Sequence, residues 1–441
     1  MEHGSMRTAQ VIVKRPGMFT RTRRTAEGTV PFSVGDKSVH LRDSRDWNAL
    51  VALRKRGGPP TAEDVRTQLA DVTDRIPALG HRVGGRRWNR YFEPCDVDLR
   101  HHVEELRFPA GRTREQCMKE AVERPWPPGR PPWSVQIISG YRADEHLLAY
   151  RVSHVLQDGI AIATTGRALF CGERLPFVPA QPSKGKLPGR ALRVGLRLTP
   201  RFFLPGARWL PADEPDASEE WQRHTAVLDR SDFDEIGRRT GAGTAQICLA
   251  VLSGALRAWT PGHWTGALDR RQRRGLPAYL AVNLRAPRET HCLGNRVGGL
   301  PLTLPCAEPS PVRRLRQVAE QADYRDVNDF RKLLATLYRA PNLLGWLLAH
   351  VVLVGERPRP IVTIIPAADP AEAGADELLA VPARLPKQTA GFLVTVGPTE
   401  ITVHCVLRPF VGDAGRLPGL IAVSLAELRT ALINRPEESA L

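Results

Sequence analysis

Asp158 and Gly159 follow His154 four and five positions on in the stretch "LLAYRVSHVLQDGIAIATTGRALF", which covers positions 147–170. A neutral imidazole is the side chain best suited to take a proton from an alcohol or an amine near neutral pH. If it held such an acceptor beside a thioester carbonyl, acyl transfer would need no enzyme nucleophile. General-base help of this kind is worth ~10² to 10⁴ in rate, and positioning adds more. The same residues have a plainer reading as a core histidine followed by an Asp-Gly turn. Taken alone, H-x-x-x-D-G is too loosely specified to displace it.

The flanking elements make the chemical reading workable. "HLLAYRVS" reads as a strand ending at Ser153, which sets His154 at an element boundary where its side chain can reach a cavity. Gly159 permits a backbone turn that a residue with a Cβ resists. Such a turn would aim Asp158 into the protein, where a buried carboxylate needs an arginine partner. "IAIATTGRALF" then has the length and composition of a helix.

Around this centre the first half alternates helices and strands. A Thr cap, acidic first turn and helical spacing of apolar residues predict a helix over 61–79, and a second is expected over 113–123. "WSVQIISGY" pairs with "HLLAYRVS" as two strands across a polar turn. Between 176 and 216 the chain becomes rich in proline and basic residues with Leu, Phe and Trp among them. This segment reads as a linker in preference to a lipid-touching surface, because prolines interrupt a long amphipathic helix. The second half repeats the mixture: strand "RHTAVLD", a helix pair ending in the apolar "TAQICLAVLSGALRAW", strands in "LPAYLAVNLRAP" and "GNRVGGLPLTLP", and helical character over 310–325 and 327–354. Strands "RPIVTIIP" and "GFLVTVGPTEITVHCVL" and a last helix follow. The expected organisation is a flexible N-terminus over 1–20, a first lobe over 21–175, a Pro-rich basic linker over 176–220 and a second lobe over 221–441. Residues 1–5 look vector-derived, ahead of a natural start at Met6.

Composition sets outer limits. The chain has 441 residues, 42% hydrophobic and 25% charged, which suits two folded domains. The longest apolar run, "LLGWLLAHVVLVG" at 343–355, is too short to span a bilayer. With no signal-peptide core visible, the expected address is cytoplasmic, with membrane association as the variant the basic segment suggests. Seven scattered cysteines include no C-x-x-C pair, so neither a disulfide framework nor a metal site is expected. His101 and His102, next to Glu104 and Glu105, point to opposite faces of a strand and read as structural. Cys248 reads as packing within an apolar helix, where nothing favours its thiolate. The net charge of +16 attracts polyanions, including acidic carrier proteins, anionic membranes and the phosphates of coenzyme A. Basic residues are spread without a nucleic-acid motif, so nucleic acid is not an expected partner.

The run "CDVDLRHHVEELRFP … RPPWSVQIISGY … HLLAYRVSHVLQDGIAI" resembles, in order and spacing, the bacterial wax ester synthase/diacylglycerol acyltransferase family. That family is grouped with chloramphenicol acetyltransferases and the condensation domains of peptide synthetases. Its Y-H-V, R-P-L-W and H-H-x-x-x-D-G motifs look like Arg100 to Val103, Arg130 to Trp133 and Ser153 to Gly159. "AYLAVNLRAPRETHCLGNRVGGLPLTLP" is similar to its P-V-S-x-R strand and L-G-N-R turn, and "TIIPAADP" echoes its N-V-P-G-P. The resemblance spans about residues 60 to 435.

It implies an α/β (α+β) fold of two chloramphenicol acetyltransferase-like lobes, each a mixed sheet with flanking helices, with a tunnel between them. By the same resemblance His154 is the catalytic base, Asp158 and Gly159 shape its loop, and Arg285 pairs with Asp158 across the lobes. Ser153, Trp133 and Asn295 fall at positions that shape the tunnel or substrate. Two departures stand out: Ser153 replaces the first motif histidine, and Ala245-Gln246 replaces an N-D pair.

The implied activity is acyl transfer from a thioester to a hydroxyl or amine acceptor. The donor is an acyl-coenzyme A or an acyl or peptidyl carrier protein, and the acceptor a small-molecule alcohol or amine. No cofactor is implied, coenzyme A or phosphopantetheine entering as substrate. The alternatives are a condensation-type enzyme of natural-product assembly using carrier-bound substrates, and a catalytically degenerate protein that binds a carrier or lipid.

Overall fold

The computed structural model describes residues 28–40, 47–86, 89–173, 189–203, 221–285, 293–338, 359–383, 390–408 and 413–434. The first strands in chain order are β1 (Val30–Pro31), β2 (Asn48–Arg56), β3 (His81–Arg86), β4 (Asn89–Pro94), β5 (Val103–Arg107), β6 (Trp133–Ser139) and β7 (Glu145–Ser153). Then come β8 (Gln222–Asp229), β9 (Leu276–Asn283), β10 (Val297–Leu304), β11 (Ile361–Pro366), β12 (Glu377–Val381), β13 (Ala390–Val396) and β14 (Glu400–Leu407). They build a five-stranded sheet ordered β12-β2-β7-β6-β5, a six-stranded sheet ordered β10-β9-β11-β13-β14-β8, and a small sheet β1-β4-β3. Both large sheets mix parallel and antiparallel pairs: β5 runs parallel to β6, and β11 runs parallel to both β9 and β13.

Each large sheet carries its own core, as the expected two-lobed α/β architecture requires. Every residue of β7 is buried, so this strand lies central in the first lobe with apolar packing on both faces. The second lobe packs helices Thr244–Trp259 and Leu417–Asn434 on its sheet. Leu417–Asn434 forms most of a stretch long and apolar enough to cross a membrane, yet it turns Leu417, Ile421, Leu425, Leu428 and Leu432 into this core.

Three features depart from the sequence expectations. The helix begun by the Thr61 capping box ends at Thr73, and Pro77 opens a separate 3-10 turn, Pro77–Gly80, in place of a continuation to 79. The Pro-rich segment contains a 15-residue helix, Gly189–Phe203, set between Pro188 and Pro205. Its Ala191, Val194, Leu198 and Phe202 enter the second lobe's core, so this part of the assigned linker is built into that lobe. Finally, β12 comes from the second half of the chain but adds to the first lobe's sheet beside β2. Arg54 and Arg114 bind Glu377 at 3.0 and 2.7 Å and fasten that edge. The N-terminal leader and the apolar run at 343–355 lie outside the described residues.

Candidate functional site

β7 stops at Ser153 because the chain turns there: the Ser153 carbonyl accepts a bond from Leu156 N at 2.9 Å. The turn lifts His154 out of the sheet plane, and its backbone N–H donates to the Trp47 carbonyl at 2.6 Å on the preceding segment. The imidazole meets the Trp47 ring edge-on, with centroids 6.0 Å apart and planes at 87°. Of its two ring nitrogens, Nδ1 is buried and makes no hydrogen bond to the described residues. Both His154 and Trp47 line a cavity of about 240 Å³ between the lobes.

Asp158 works in three directions. Its Oδ1 accepts from Ala161 N at 3.0 Å, which makes it the N-cap of the helix Gly159–Phe170. Its Oδ2 accepts from Arg285 Nη1 at 2.8 Å and from Arg296 N at 2.7 Å, both from the second lobe. The two ion-pair side chains are only 4% and 3% exposed. Burial alone would raise the Asp158 carboxyl, but the Arg285 charge and these hydrogen bonds outweigh it and hold the group below the usual carboxylate range. For His154 burial wins: it pushes the imidazole pKa down against the opposing pull of Asp158, its own backbone carbonyl and Asn295. The imidazole is therefore neutral over a wider range than an exposed one.

Asn295 ties the same turn from behind. Its Nδ2 donates to the carbonyls of His154 at 3.0 Å and Val155 at 3.3 Å, while Gly294 N donates to Leu156 O at 2.7 Å. Asn295 is held in turn by Asp36, whose Oδ1 accepts from Asn295 N at 2.6 Å. Asp36 also accepts from Ser33 N and Oγ at 2.8 and 2.6 Å, and burial raises its pKa despite these bonds. Gln157, fully buried, accepts from Tyr150 and donates to Thr165. The loop from Ser153 to Gly159 is thus fixed by three separate stretches of chain.

Apart from His154, Asp158, Arg167, Thr363 and Thr395, the cavity wall is almost wholly apolar or aromatic. One side is the helix Gly159–Phe170, which presents Gly159, Ile162, Ala163, Gly166, Arg167 and Phe170, the single face expected of 3.6-residue periodicity. The other side comes from the second lobe's sheet, including Ala281, Gly299, Thr363, Gly391 and Leu393. Arg167 is paired with Glu173 at 2.9 Å.

The structure brings His154, Asp158, Arg285 and Asn295 together but places other expected residues differently. Gly159 is the first residue of a helix and has no left-handed φ; a Cβ there would only touch Ile365 and Thr363 at 3.8 and 3.9 Å. The turn does not need glycine, because the N-cap geometry of Asp158 makes it. Trp133, Ser153 and Asn295 do not contribute to the cavity wall. Trp133 is core, donating to Leu79 O at 2.8 Å and stacking on His102, while the Ser153 hydroxyl accepts from Val155 N at 3.4 Å. His102 Nδ1 meets the Trp133 carbonyl at 2.8 Å, which agrees with a structural role. Gln246 caps its own helix and donates to Ala322 O.

Sequence reasoning passed over Asp36 and Trp47. The S-x-x-D pattern of Ser33 and Asp36 is a capping signal, but its link to Asn295, 259 positions away, leaves no local trace.

Comparison with known proteins matches residues 47–201 to the wax ester synthase/diacylglycerol acyltransferase catalytic domain. A Mycobacterium tuberculosis protein provisionally named a diacylglycerol O-acyltransferase, found in two strains, is 25% identical over 264 residues, covering 52% of this chain and 55% of that protein. The chain thus spans about half the length of the curated relatives it matches. The wax ester synthase/diacylglycerol acyltransferase of Marinobacter aquaeolei VT8 superposes with a TM-score of 0.58 at 16% identity, over 92% of this chain and 99% of that one. The starter condensation domain of rhizomide synthetase, solved with C8-CoA and Leu-SNAC, gives 0.61 at 14% identity over 92% and 94%. These structural likenesses establish the two-lobed fold.

Proposed function

We propose that this chain, a divergent member of the wax ester synthase/diacylglycerol acyltransferase family, transfers an acyl group from a thioester to a hydroxyl or amine, with His154 as general base. One observation carries this reading: a neutral, buried-edge imidazole stands at an apolar cavity between the lobes, on a loop fixed by Asp158, Arg285 and Asn295. With Nδ1 turned into the protein, the other ring nitrogen is the one available to an acceptor proton. The apolar wall suits an acyl chain and excludes water from the thioester. Coenzyme A or the phosphopantetheine of an acyl or peptidyl carrier protein enters as substrate, and no cofactor takes part.

The acceptor is a small-molecule alcohol or amine, and the reaction is placed in the cytoplasm. Leu192 and Leu196, exposed beside arginines on the helix Gly189–Phe203, support peripheral contact with a membrane surface. The test is thiol release from a panel of acyl-coenzyme A and acyl-carrier thioesters with alcohols and amines. Acceptor-dependent release supports transfer, and dependence on a carrier would move the reading to a condensation-type reaction. Binding without release under any pairing overturns both in favour of a non-catalytic lipid or carrier binder.

A further inference from the structure

Most glycines that are crowded in this fold are crowded visibly. A Cβ on Gly195 would meet Leu333 at 2.2 Å, one on Gly254 would meet Ser424 at 2.2 Å, and one on Gly298 would meet Leu334 at 2.7 Å. Gly166 and Gly391 are different. Neither has a left-handed φ, and among the described residues nothing lies within 4 Å of a Cβ built on either. Yet a glycine inside a helix costs about 0.5 to 1 kcal/mol relative to alanine, and one inside a strand weakens it as well. Neither backbone conformation nor packing by the described residues calls for glycine at these two places. Both line the inter-lobe cavity, Gly166 from the first-lobe helix Gly159–Phe170 and Gly391 from β13 of the second lobe.

We infer that Gly166 and Gly391 set the bore of the cavity and so determine which acyl chains fit. This inference rests on the acyl-transfer reading above for its substrate. Gly166 is seven residues along its helix from Gly159, about 10 Å from the Asp158 end of the cavity at 1.5 Å per residue. A short acyl group whose thioester carbonyl sits beside His154 would not reach it, whereas a long unbranched chain would pass it. The open volume left by the two missing side chains is therefore matched to long, unbranched chains, and any side chain at 166 would project into their path.

The test is the selectivity of Gly166→Leu and Gly391→Val, measured as the ratio of kcat/KM for palmitoyl-coenzyme A to that for butyryl-coenzyme A with one acceptor. Overfilling a packed space predicts a fall of about tenfold in this ratio for Gly166→Leu, with a change in the same direction for Gly391→Val. Leucine in place of a helical glycine should not lower the melting temperature. A ratio that stays at the wild-type value in both folded variants overturns the inference. Binding of a fluorescent palmitate probe reads the cavity without turnover. If the wild type releases thiol from neither thioester, the acyl-transfer reading fails, and the probe still decides the role of the glycines. Binding weakened by Gly166→Leu supports it; no binding to wild type, or equal binding to both, refutes it.

Discussion

Replacing Asp158 with asparagine isolates the charge that joins the lobes. The variant keeps the size of the side chain and one oxygen to cap the helix Gly159–Phe170, a role asparagine fills as well as aspartate. It removes the carboxylate that lies 2.8 Å from the Arg285 guanidinium, a side chain only 4% exposed. It also turns a donor towards Arg285 or Arg296, since one oxygen cannot receive Arg285 Nη1, Arg296 N and Ala161 N as the two carboxylate oxygens do. Breaking a buried pair by removing one partner costs about 3 to 5 kcal/mol. Urea unfolding followed by tryptophan fluorescence should show a loss of that size. Adding Arg285→Met should recover part of it, because the double variant removes both members of the buried pair. The pH dependence has a definite sign: a carboxyl held below its ordinary 3.8 contributes fully above that value and loses its contribution as pH falls through its folded pKa. The gap between wild type and Asp158→Asn should hence be constant at neutral pH and close only in acid below 3.8. An Asp158→Asn protein as stable as wild type at neutral pH would refute the reasoning.

Two further outcomes follow from the site. Because burial lowers the His154 pKa, the acid limb of the kcat/KM profile should lie below the ordinary histidine value of 6.5, with no loss of rate between 6.5 and neutrality; a limb at or above 6.5 would mean the imidazole is not desolvated. Asn295→Ala removes two bonds to the His154 turn and should lower kcat more than it alters KM, with a stability loss of about 1 to 3 kcal/mol; unaltered kcat would show that the turn holds the base without Asn295.

The sequence carried the site's chemistry further than its supports. Strand β7, its end at Ser153 and the helix after Asp158 were legible because the apolar stretch Leu147–Tyr150 and an Ala/Leu-rich segment leave local signals. The Asp158 to Arg285 pairing was accessible through family resemblance and the rule that buried carboxylates need partners. The anchoring of Asn295 by Asp36 was not, since it depends on two segments meeting only in the folded chain. Strand β12 escaped because "ELLAV" is short and shows no two-residue alternation, and its pairing with β2 crosses from one half of the chain to the other. The helix Gly189–Phe203 escaped for a compositional reason: prolines around it, and Pro200 within it, were read as interrupting it. Gly159 showed the reverse error, a residue type taken for a backbone requirement where the cap geometry of its neighbour made the turn.

The base assignment is tested most directly by acceptor-dependent thiol release from an acyl thioester by wild type and His154→Ala, with melting of both recorded. A fall of ~10² to 10⁴ in kcat/KM, with the fold intact, is the predicted result. A folded His154→Ala protein that transfers acyl groups at the wild-type rate would contradict it.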